Sequence, residues 1–143
     1  MHPLLVVAVI LALVALATAL GFVWRSQQGR VRVGDERIVA IDGVPLGLRA
    51  TLLQFSTEVC SPCRATARVL GALADRTDAV EHVDLDVTHR PELAARYRVL
   101  QTPTTLILDS DGAVRARIGG AVRRDLVIAE LDRVLHEQKV LAA

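Results

Sequence analysis

The chain begins with one long apolar run, and the remainder alternates short apolar runs with mixed segments. Leu4 to Trp24 is a stretch of 21 residues without a charged side chain. As a helix at about 1.5 Å per residue it would extend about 31 Å, which matches the hydrocarbon thickness of a bilayer. Trp24 and Arg25 follow where an interfacial aromatic residue and a first charge are expected. The pattern predicts one N-terminal transmembrane helix.

A cleaved signal peptide is the alternative interpretation of this run. Ala17-Thr18-Ala19 has the small-x-small pattern of a cleavage site. Against cleavage, no Lys or Arg precedes the run, and it is longer than the usual signal-peptide core of roughly 7 to 15 residues. The sequence therefore favours a membrane anchor.

Beyond the span, period-two runs alternate with helical periodicity, which is typical of an α/β domain. Residues 26–29 are interpreted as a linker, and the runs 30–33 and 37–41 as an edge hairpin or an added N-terminal strand. The other predicted strands are residues 51–55, 80–87, 104–108 and 114–118, and the predicted helices are 62–75, 90–97 and 123–137. Thr88 is expected to cap the helix that has Pro91 in its first turn, and Asp109 to Gly112 is expected to form a hairpin turn.

Composition indicates one domain and excludes one class of partner. We divide the chain into an anchor (1–25), a linker with an N-terminal β extension (26–47) and a globular domain (48–143). Hydrophobic residues make up 52% but aromatic residues only 3%, so the core is expected to be aliphatic, with Phe55 and Tyr97 as its aromatic members. Seventeen basic residues are interspersed with sixteen acidic ones, for a net charge of +1. This balance gives no support to nucleic-acid binding.

The only two cysteines, Cys60 and Cys63, lie two residues apart between a predicted strand and a predicted helix. That spacing and position suit a dithiol–disulfide exchange site. Because the thiolate is the nucleophile and a free thiol has a pKa of roughly 8.5, a helix N-terminus at Cys60 would help it to ionise. Cys60 is the expected nucleophile and Cys63 the expected resolving thiol. Pro62 stiffens the first helical turn between them.

Three other uses of a CxxC pair are weighed against exchange chemistry. A self-contained zinc site needs four ligands, and the chain has no second CxxC or Cys/His pair. A purely structural disulfide that closes so short a loop removes little entropy from the unfolded chain. A carrier of Cu(I) or another soft metal remains the alternative function, although Met1 is the only methionine and no histidine stands beside the cysteines.

Thr102-Pro103-Thr104 precedes the apolar run that ends in Asp109, and it makes a family resemblance specific. Over residues 48 to 138, the order of elements and motifs resembles the thioredoxin superfamily. That order is strand, CxxC, helix, a strand ending in an acidic residue, helix, Thr-Pro, strand, turn, strand, Gly-Gly and helix. Membrane-anchored bacterial thioredoxin-like proteins are the most similar group. The resemblance implies a thioredoxin-like fold, with a central mixed sheet flanked by helices and preceded here by one transmembrane helix.

The resemblance also implies roles for individual residues. Pro103 corresponds to the family's cis-proline, and the Thr102 backbone would pair with an extended substrate. Gly119 would let a substrate backbone approach the sulfurs, with a simple strand-to-helix turn as an equal alternative. Phe55, Glu58 and Asp86 occupy further positions of the family motif, and Glu58 and Pro62 are expected to support the site.

Four residues near the CxxC motif or in the neighbouring strand depart from the family pattern. Val59 stands where thioredoxins have tryptophan, and Ser56 stands where they have another aromatic residue. Gln54 replaces a buried aspartate that helps to deprotonate the second cysteine, and an amide cannot accept that proton as a carboxylate would. His82 replaces the lysine that partners this aspartate. It could titrate near the sulfurs or face solvent on its strand.

These observations predict a membrane-tethered thiol–disulfide oxidoreductase whose redox group is the Cys60–Cys63 disulfide, without another cofactor or metal. We expect a monomeric reductase that acts on protein or small-molecule thiols and disulfides and receives electrons from an unknown donor. The side of the membrane is contested: Arg25, Arg30, Arg32 and Arg37 follow the span and none precede it, which favours a cytoplasmic domain. Many anchored proteins that this chain resembles face outward instead.

Overall fold

A computed structural model of the chain describes residues 3–27, 31–33 and 43–141. The first element, α1 (Pro3–Gln27), contains the segment Leu5–Val23, which has a mean hydropathy of 2.9 and no part of which is buried against the rest of the molecule. Among the described residues this is the one helix long and apolar enough to cross a membrane. A membrane anchor and a signal sequence both meet that criterion.

The predicted elements of the globular part are present with ends that differ by a few residues. In chain order they are β1 (Val31–Val33), β2 (Ala50–Ser56), α2 (Ser61–Ala74), β3 (Val80–Asp86), α3 (Pro91–Arg96), β4 (Thr104–Asp109), β5 (Val114–Gly119) and α4 (Arg124–Leu141). The added N-terminal strand is β1. The second predicted run of that extension, 37–41, lies outside the described residues.

The strands form one mixed sheet in the order β1-β5-β4-β2-β3. β2 and β3 are parallel and are joined through α2, while the other neighbours are antiparallel. The strand ends on one side of the sheet form what we call the upper edge. There β2, β3 and β5 end, and β1 and β4 begin. The residues at this edge are Ser56, Asp86, Gly119, Val31 and Thr104.

Alternation along the strands divides the core into two layers. On one face, Leu52 and Ile107 pack with Leu70 of α2 and with Val127 and Leu131 of α4. On the other face, Leu53 and Phe55 pack with Leu93 and Tyr97 at α3, and the two aromatic rings are stacked with centroids 5.5 Å apart. The period-two side-chain direction of a strand produces this division, so residues with even numbers in β2 lie under α2.

The turn between β4 and β5 is held by a buried carboxylate. Asp109 Oδ1 accepts hydrogen bonds from the backbone N–H groups of Asp111 (3.0 Å) and Ala113 (2.8 Å), and Oδ2 accepts one from Arg115 Nε at 2.7 Å. Gly112 has a φ of 80°, a conformation that favours glycine. The predicted hairpin turn is confirmed.

The prediction that Thr88 caps α3 is wrong. The residue at the cap position is Arg90, without a side-chain cap bond, and Pro91 begins the helix. The Thr88 hydroxyl instead accepts a hydrogen bond from Glu58 N at 3.0 Å, and Thr88 N donates to Asp86 Oδ1 at 2.7 Å. Hydrogen bonds to the Asp86 carboxyl from the side chain and from the backbone N–H of Thr88 hold its pKa below the usual value. Thr88 therefore joins the loops that follow β2 and β3.

Candidate active site

Cys60 and Cys63 form a disulfide at the upper edge of the sheet, where β2 leads into α2. The sulfurs are 1.99 Å apart and the Cα atoms 5.2 Å apart. Both residues are buried, with 8% of Cys60 and 3% of Cys63 exposed. Cys60 is the slightly more exposed of the two.

The first turn of α2 presents its N-terminus to the Cys60 sulfur. Cys60 is the N-cap residue, and its Sγ accepts a hydrogen bond from Cys63 N at 3.2 Å. Pro62 lies in this first turn, where it has no N–H to leave unpaired. The helix dipole and the aimed N–H favour a thiolate at Cys60 once the disulfide is reduced. The Arg64 guanidinium, in contrast, reaches back to the Ser61 hydroxyl on the exposed helix surface.

Gln54 lies beneath the second cysteine. Its side chain is fully buried in β2, and its Nε2 donates a hydrogen bond to the backbone oxygen of Cys63 at 3.0 Å. Its Oε1 is buried and has no hydrogen-bond partner among the described residues. The side chain therefore fixes the Cys63 backbone and leaves one unpaired acceptor beneath α2.

A second loop, the one that enters β4, lies against the CxxC loop. The Thr102–Pro103 peptide bond is cis, and Pro103 is buried. The hydroxyls of Thr57 and Thr102 are 3.2 Å apart, which joins the two loops by a hydrogen bond. Within the described residues, the Thr102 N–H and C=O form no backbone hydrogen bond, whereas the neighbouring Pro103 carbonyl accepts one from Gly120 N at 2.8 Å. The Thr102 backbone is thus available to an added strand.

Together these residues can carry out thiol–disulfide exchange: a redox-active pair, a helix N-terminus that favours the attacking thiolate, and an unpaired backbone segment beside it. Among the described residues, no group of three His, Cys, Asp or Glu side chains is placed to hold a metal ion.

Residues 47–133 match the family model described as Thioredoxin. The chain belongs to the thioredoxin family. Thioredoxin H5 of Oryza sativa is 31% identical over 72 residues, which are 50% of this chain and 53% of that protein. The thioredoxin of Mycobacterium tuberculosis is 35% identical over 88 residues, 61% of this chain and 75% of that protein. The chain thus spans about half the length of the rice relative.

Solved thioredoxin structures superpose on the same region. The X-ray structure of Fasciola hepatica thioredoxin aligns with a TM-score of 0.53 at 30% identity, covering 61% of this chain and 82% of that one. A mutant thioredoxin from Halobacterium salinarum aligns with a TM-score of 0.54 at 25% identity, covering 61% of this chain and 75% of that one. This chain therefore carries a thioredoxin-like domain that contains the CxxC disulfide.

Gly119 and Glu58, two further predicted site residues of the thioredoxin domain, have the following neighbours. A Cβ on Gly119 would lie 2.7 Å from the Gln101 amide nitrogen, so in this structure the space above Gly119 is taken by Gln101. It is Gly120, with a φ of 82°, that makes the turn. Glu58 contributes its backbone N–H to Thr88, and its largely exposed carboxylate lies 3.9 Å from His89 Nε2.

Both interpretations of His82 are wrong. The ring is half-buried on the α2 side of β3, and its Nδ1 would be 3.6 Å from a Cβ on Gly71. Gly71 lies eight residues beyond Cys63, about 12 Å along the helix, so His82 does not reach the sulfurs. The ring Nε2 is buried, so the side chain does not face solvent either. Burial lowers the pKa of the imidazole, and the negative charges of Asp84 and Asp75 oppose that shift in part.

One feature of the site, the Thr57–Thr102 hydrogen bond, was not predicted from the sequence. The two residues are 45 positions apart, and threonine at either position has an ordinary interpretation as a loop residue. No local pattern could have paired them. The available signals were that Thr102 is itself a predicted site residue and that Thr57 stands three residues before Cys60.

Proposed function

We propose that this protein is a membrane-tethered thiol–disulfide oxidoreductase that works as a reductase on protein disulfides. The observation that carries the proposal is the Cys60–Cys63 disulfide at the N-terminus of α2, beside a cis Thr102–Pro103 bond whose Thr102 backbone is unpaired among the described residues. The family match over residues 47–133 supports exchange chemistry. The exposed apolar helix α1 supports the tether.

The reaction uses the two sulfurs in sequence. The Cys60 thiolate attacks one sulfur of the substrate disulfide, forms a mixed disulfide and releases the other substrate sulfur as a thiolate. The Cys63 thiolate then attacks the Cys60 sulfur, which releases the second substrate thiolate and closes the Cys60–Cys63 disulfide. Two electrons pass to the substrate, and a donor dithiol must restore the reduced pair. The disulfide is itself the redox group, and the proposal needs no other cofactor.

The proposal places the domain on the cytoplasmic side. Four arginines follow the apolar run within residues 25–37 and no Lys or Arg precedes it, and positive residues are retained on the cytoplasmic side of a span. A monomer suffices, since one chain supplies both sulfurs.

The test is reduction of insulin by the full chain in detergent, with dithiothreitol as donor. Cys60→Ser is expected to abolish turnover. Cys63→Ser, reduced beforehand and mixed with insulin after removal of dithiothreitol, is expected to stop at the first step and to accumulate a mixed disulfide that can be seen by mass spectrometry. An anaerobic Cu(I) titration of the reduced chain is run beside it. Tight 1:1 copper binding without insulin reduction would contradict the proposal in favour of a soft-metal carrier.

A further inference from the structure

The chain enters the globular domain at the same sheet edge that carries the disulfide. β1 begins at Val31, which pairs with Ile118 near the end of β5. Two residues later, Gly120 N donates to the carbonyl of Pro103 at 2.8 Å. β2 ends and α2 begins at this upper edge, with Cys60 between them. The attachment point and the site therefore share one side of the molecule.

The connection from the membrane helix to this edge is short. α1 ends at Gln27 and β1 begins at Val31, so four Cα–Cα steps of about 3.8 Å allow at most about 15 Å. β1 and β2 are three strand spacings apart in the sheet. At 4.8 Å per spacing, the end of β2 at the disulfide therefore lies about 14 Å to the side of the start of β1. The opposite edge lies a strand length farther away, about 20 Å for six residues. The tether thus holds the disulfide edge close to the bilayer.

Two aliphatic side chains project from this edge. Val59 is 96% exposed and Leu100 is 94% exposed, the highest values among the large apolar residues described outside α1. Each lies two residues from one end of the Thr57–Thr102 hydrogen bond, and two residues extend at most about 7 Å. Val59 directly precedes Cys60 in one loop of the site, and Leu100 lies two residues before Thr102 in the other, so each loop carries one exposed aliphatic side chain.

We propose that the partner is a membrane-embedded protein whose disulfide lies at the bilayer surface and which docks on Val59 and Leu100. This inference rests on the proposed function, because it takes the tether and the exchange reaction as given. The chemistry is the two-step exchange described above: the partner's disulfide gains two electrons and becomes two thiols, and the Cys60–Cys63 dithiol becomes the disulfide. The short connection makes bilayer-proximal disulfides the reachable ones.

The experiment measures single-turnover reduction in vesicles. The full chain is reduced with dithiothreitol, freed of excess donor and incorporated into phosphatidylcholine vesicles. The vesicles also hold a lipid-anchored peptide disulfide, either near the surface or on a rigid spacer of about 60 Å. We expect at least tenfold faster reduction of the surface-proximal peptide.

The matched variant carries a 20-residue Gly/Ser insertion between Gln27 and Val31. With about 24 Cα–Cα steps from Gln27 to Val31, its root-mean-square reach rises to roughly 27 Å and its full extension far beyond that. The insertion is expected to reduce the tenfold preference to less than threefold, while soluble insulin is reduced at the original rate.

Docking is tested with Val59→Ser and Leu100→Ser on the surface-proximal peptide, which is made with apolar residues flanking its cysteines. Each is expected to slow reduction of that peptide at least threefold. Leu48→Ser is the control, because Leu48 is 85% exposed but lies two residues before β2 begins, at the opposite edge. Equal rates for all three variants would overturn the docking surface.

The outcomes separate this inference from the proposed function. Failure of the full chain to reduce insulin overturns the exchange reaction, and loss of the chain from the vesicles on alkaline extraction overturns the tether; the inference falls with either. If insulin is reduced and the chain stays in the membrane, then a ratio near one, or a preference that the insertion leaves unchanged, overturns the inference alone.

Discussion

At the scale of single residues, Gln54 sets the proton chemistry of the site. Its Nε2 is bonded to the Cys63 carbonyl at 3.0 Å, and its buried Oε1 has no partner among the described residues. Unlike a carboxyl, an amide cannot take up or release a proton in the neutral range. The Cys63 thiol must therefore lose its proton during the resolving step without help from this side chain.

Gln54→Asp tests this argument. The introduced carboxyl would be buried next to Cys63, and burial raises the pKa of a carboxyl, so it can exchange a proton with the thiol near neutral pH. We expect the pH–rate profile of disulfide reduction to shift by about one pH unit or more. The measurement is kcat/KM for insulin reduction from pH 5.5 to 9.

Gln54→Met is the control, because it nearly keeps the volume but removes both polar atoms. It is expected to keep the wild-type pH–rate profile, whatever its effect on stability.

A second measurement is the pH dependence of the stability of Gln54→Asp. A carboxyl with a raised pKa in the folded state costs stability as pH rises above its unfolded value of about 3.9. The free energy of unfolding of Gln54→Asp should therefore fall relative to wild type between pH 4 and 7. Identical pH–rate profiles for the two variants would contradict the argument.

At the scale of elements, the site depends on how two loops are held together. One loop joins β2 to α2 and carries Thr57 and Cys60. The other enters β4 and carries Thr102 and Pro103. Sheet pairing between β2 and β4 brings Phe55 opposite Thr104, and the Thr57–Thr102 hydroxyl contact of 3.2 Å is the side-chain link above it. A substrate strand that pairs with Thr102 is positioned against Cys60 through this link.

Thr57→Val should separate the substrates by size. The substitution keeps the shape of the side chain and removes one hydrogen bond worth about 0.5 to 1.5 kcal/mol, which corresponds to roughly twofold to tenfold in rate. We expect that loss with insulin, which uses the Thr102 backbone. A small disulfide such as hydroxyethyl disulfide does not, and its rate should change less than twofold.

Two further variants make this result specific. Thr57→Ser restores the hydroxyl and is expected to recover the insulin rate. Thr77→Val removes a comparable half-buried hydroxyl, which donates to Leu73 O at 2.9 Å at the far end of α2, and should leave both rates unchanged. An equal loss with both disulfides in Thr57→Val would point to a general structural defect.

What the sequence could predict follows from how local each signal is. The CxxC pair, Thr102-Pro103 and the turn at Asp109 are carried by neighbouring residues, and helix and strand periodicity placed the elements between them. The ends of α4 were less clear: the helix continues to Leu141, although its last turns lack a regular apolar stripe. Contacts between distant residues left no local signal. This explains why the Thr57–Thr102 bond, the loop bond at Thr88 and the burial of His82 beneath Gly71 were not predicted.

At the scale of the whole molecule, burial of one titratable group couples folding to pH. His82 lies between the sheet and α2, its Nε2 is buried without a partner among the described residues, and burial lowers its pKa from about 6.5. The unfolded chain therefore binds a proton at this residue at a higher pH than the folded domain does. By linkage, this residue's contribution makes the folded state less stable as pH falls through 6.5 toward the folded pKa.

His82→Gln removes the titrating ring and should flatten this part of the pH dependence. The measurement is the urea midpoint of the full chain in detergent at pH 5.0, 6.0, 6.5 and 7.5 for wild type and variant. Because the other ionisable groups are common to both, the difference between the two curves isolates His82. The wild-type midpoint should fall more steeply on acidification, and NMR of the folded wild type should show the imidazole titrating below 6.5. A constant difference across the range, or a titration midpoint at or above 6.5, would show that the folded domain accommodates the charged ring at no cost.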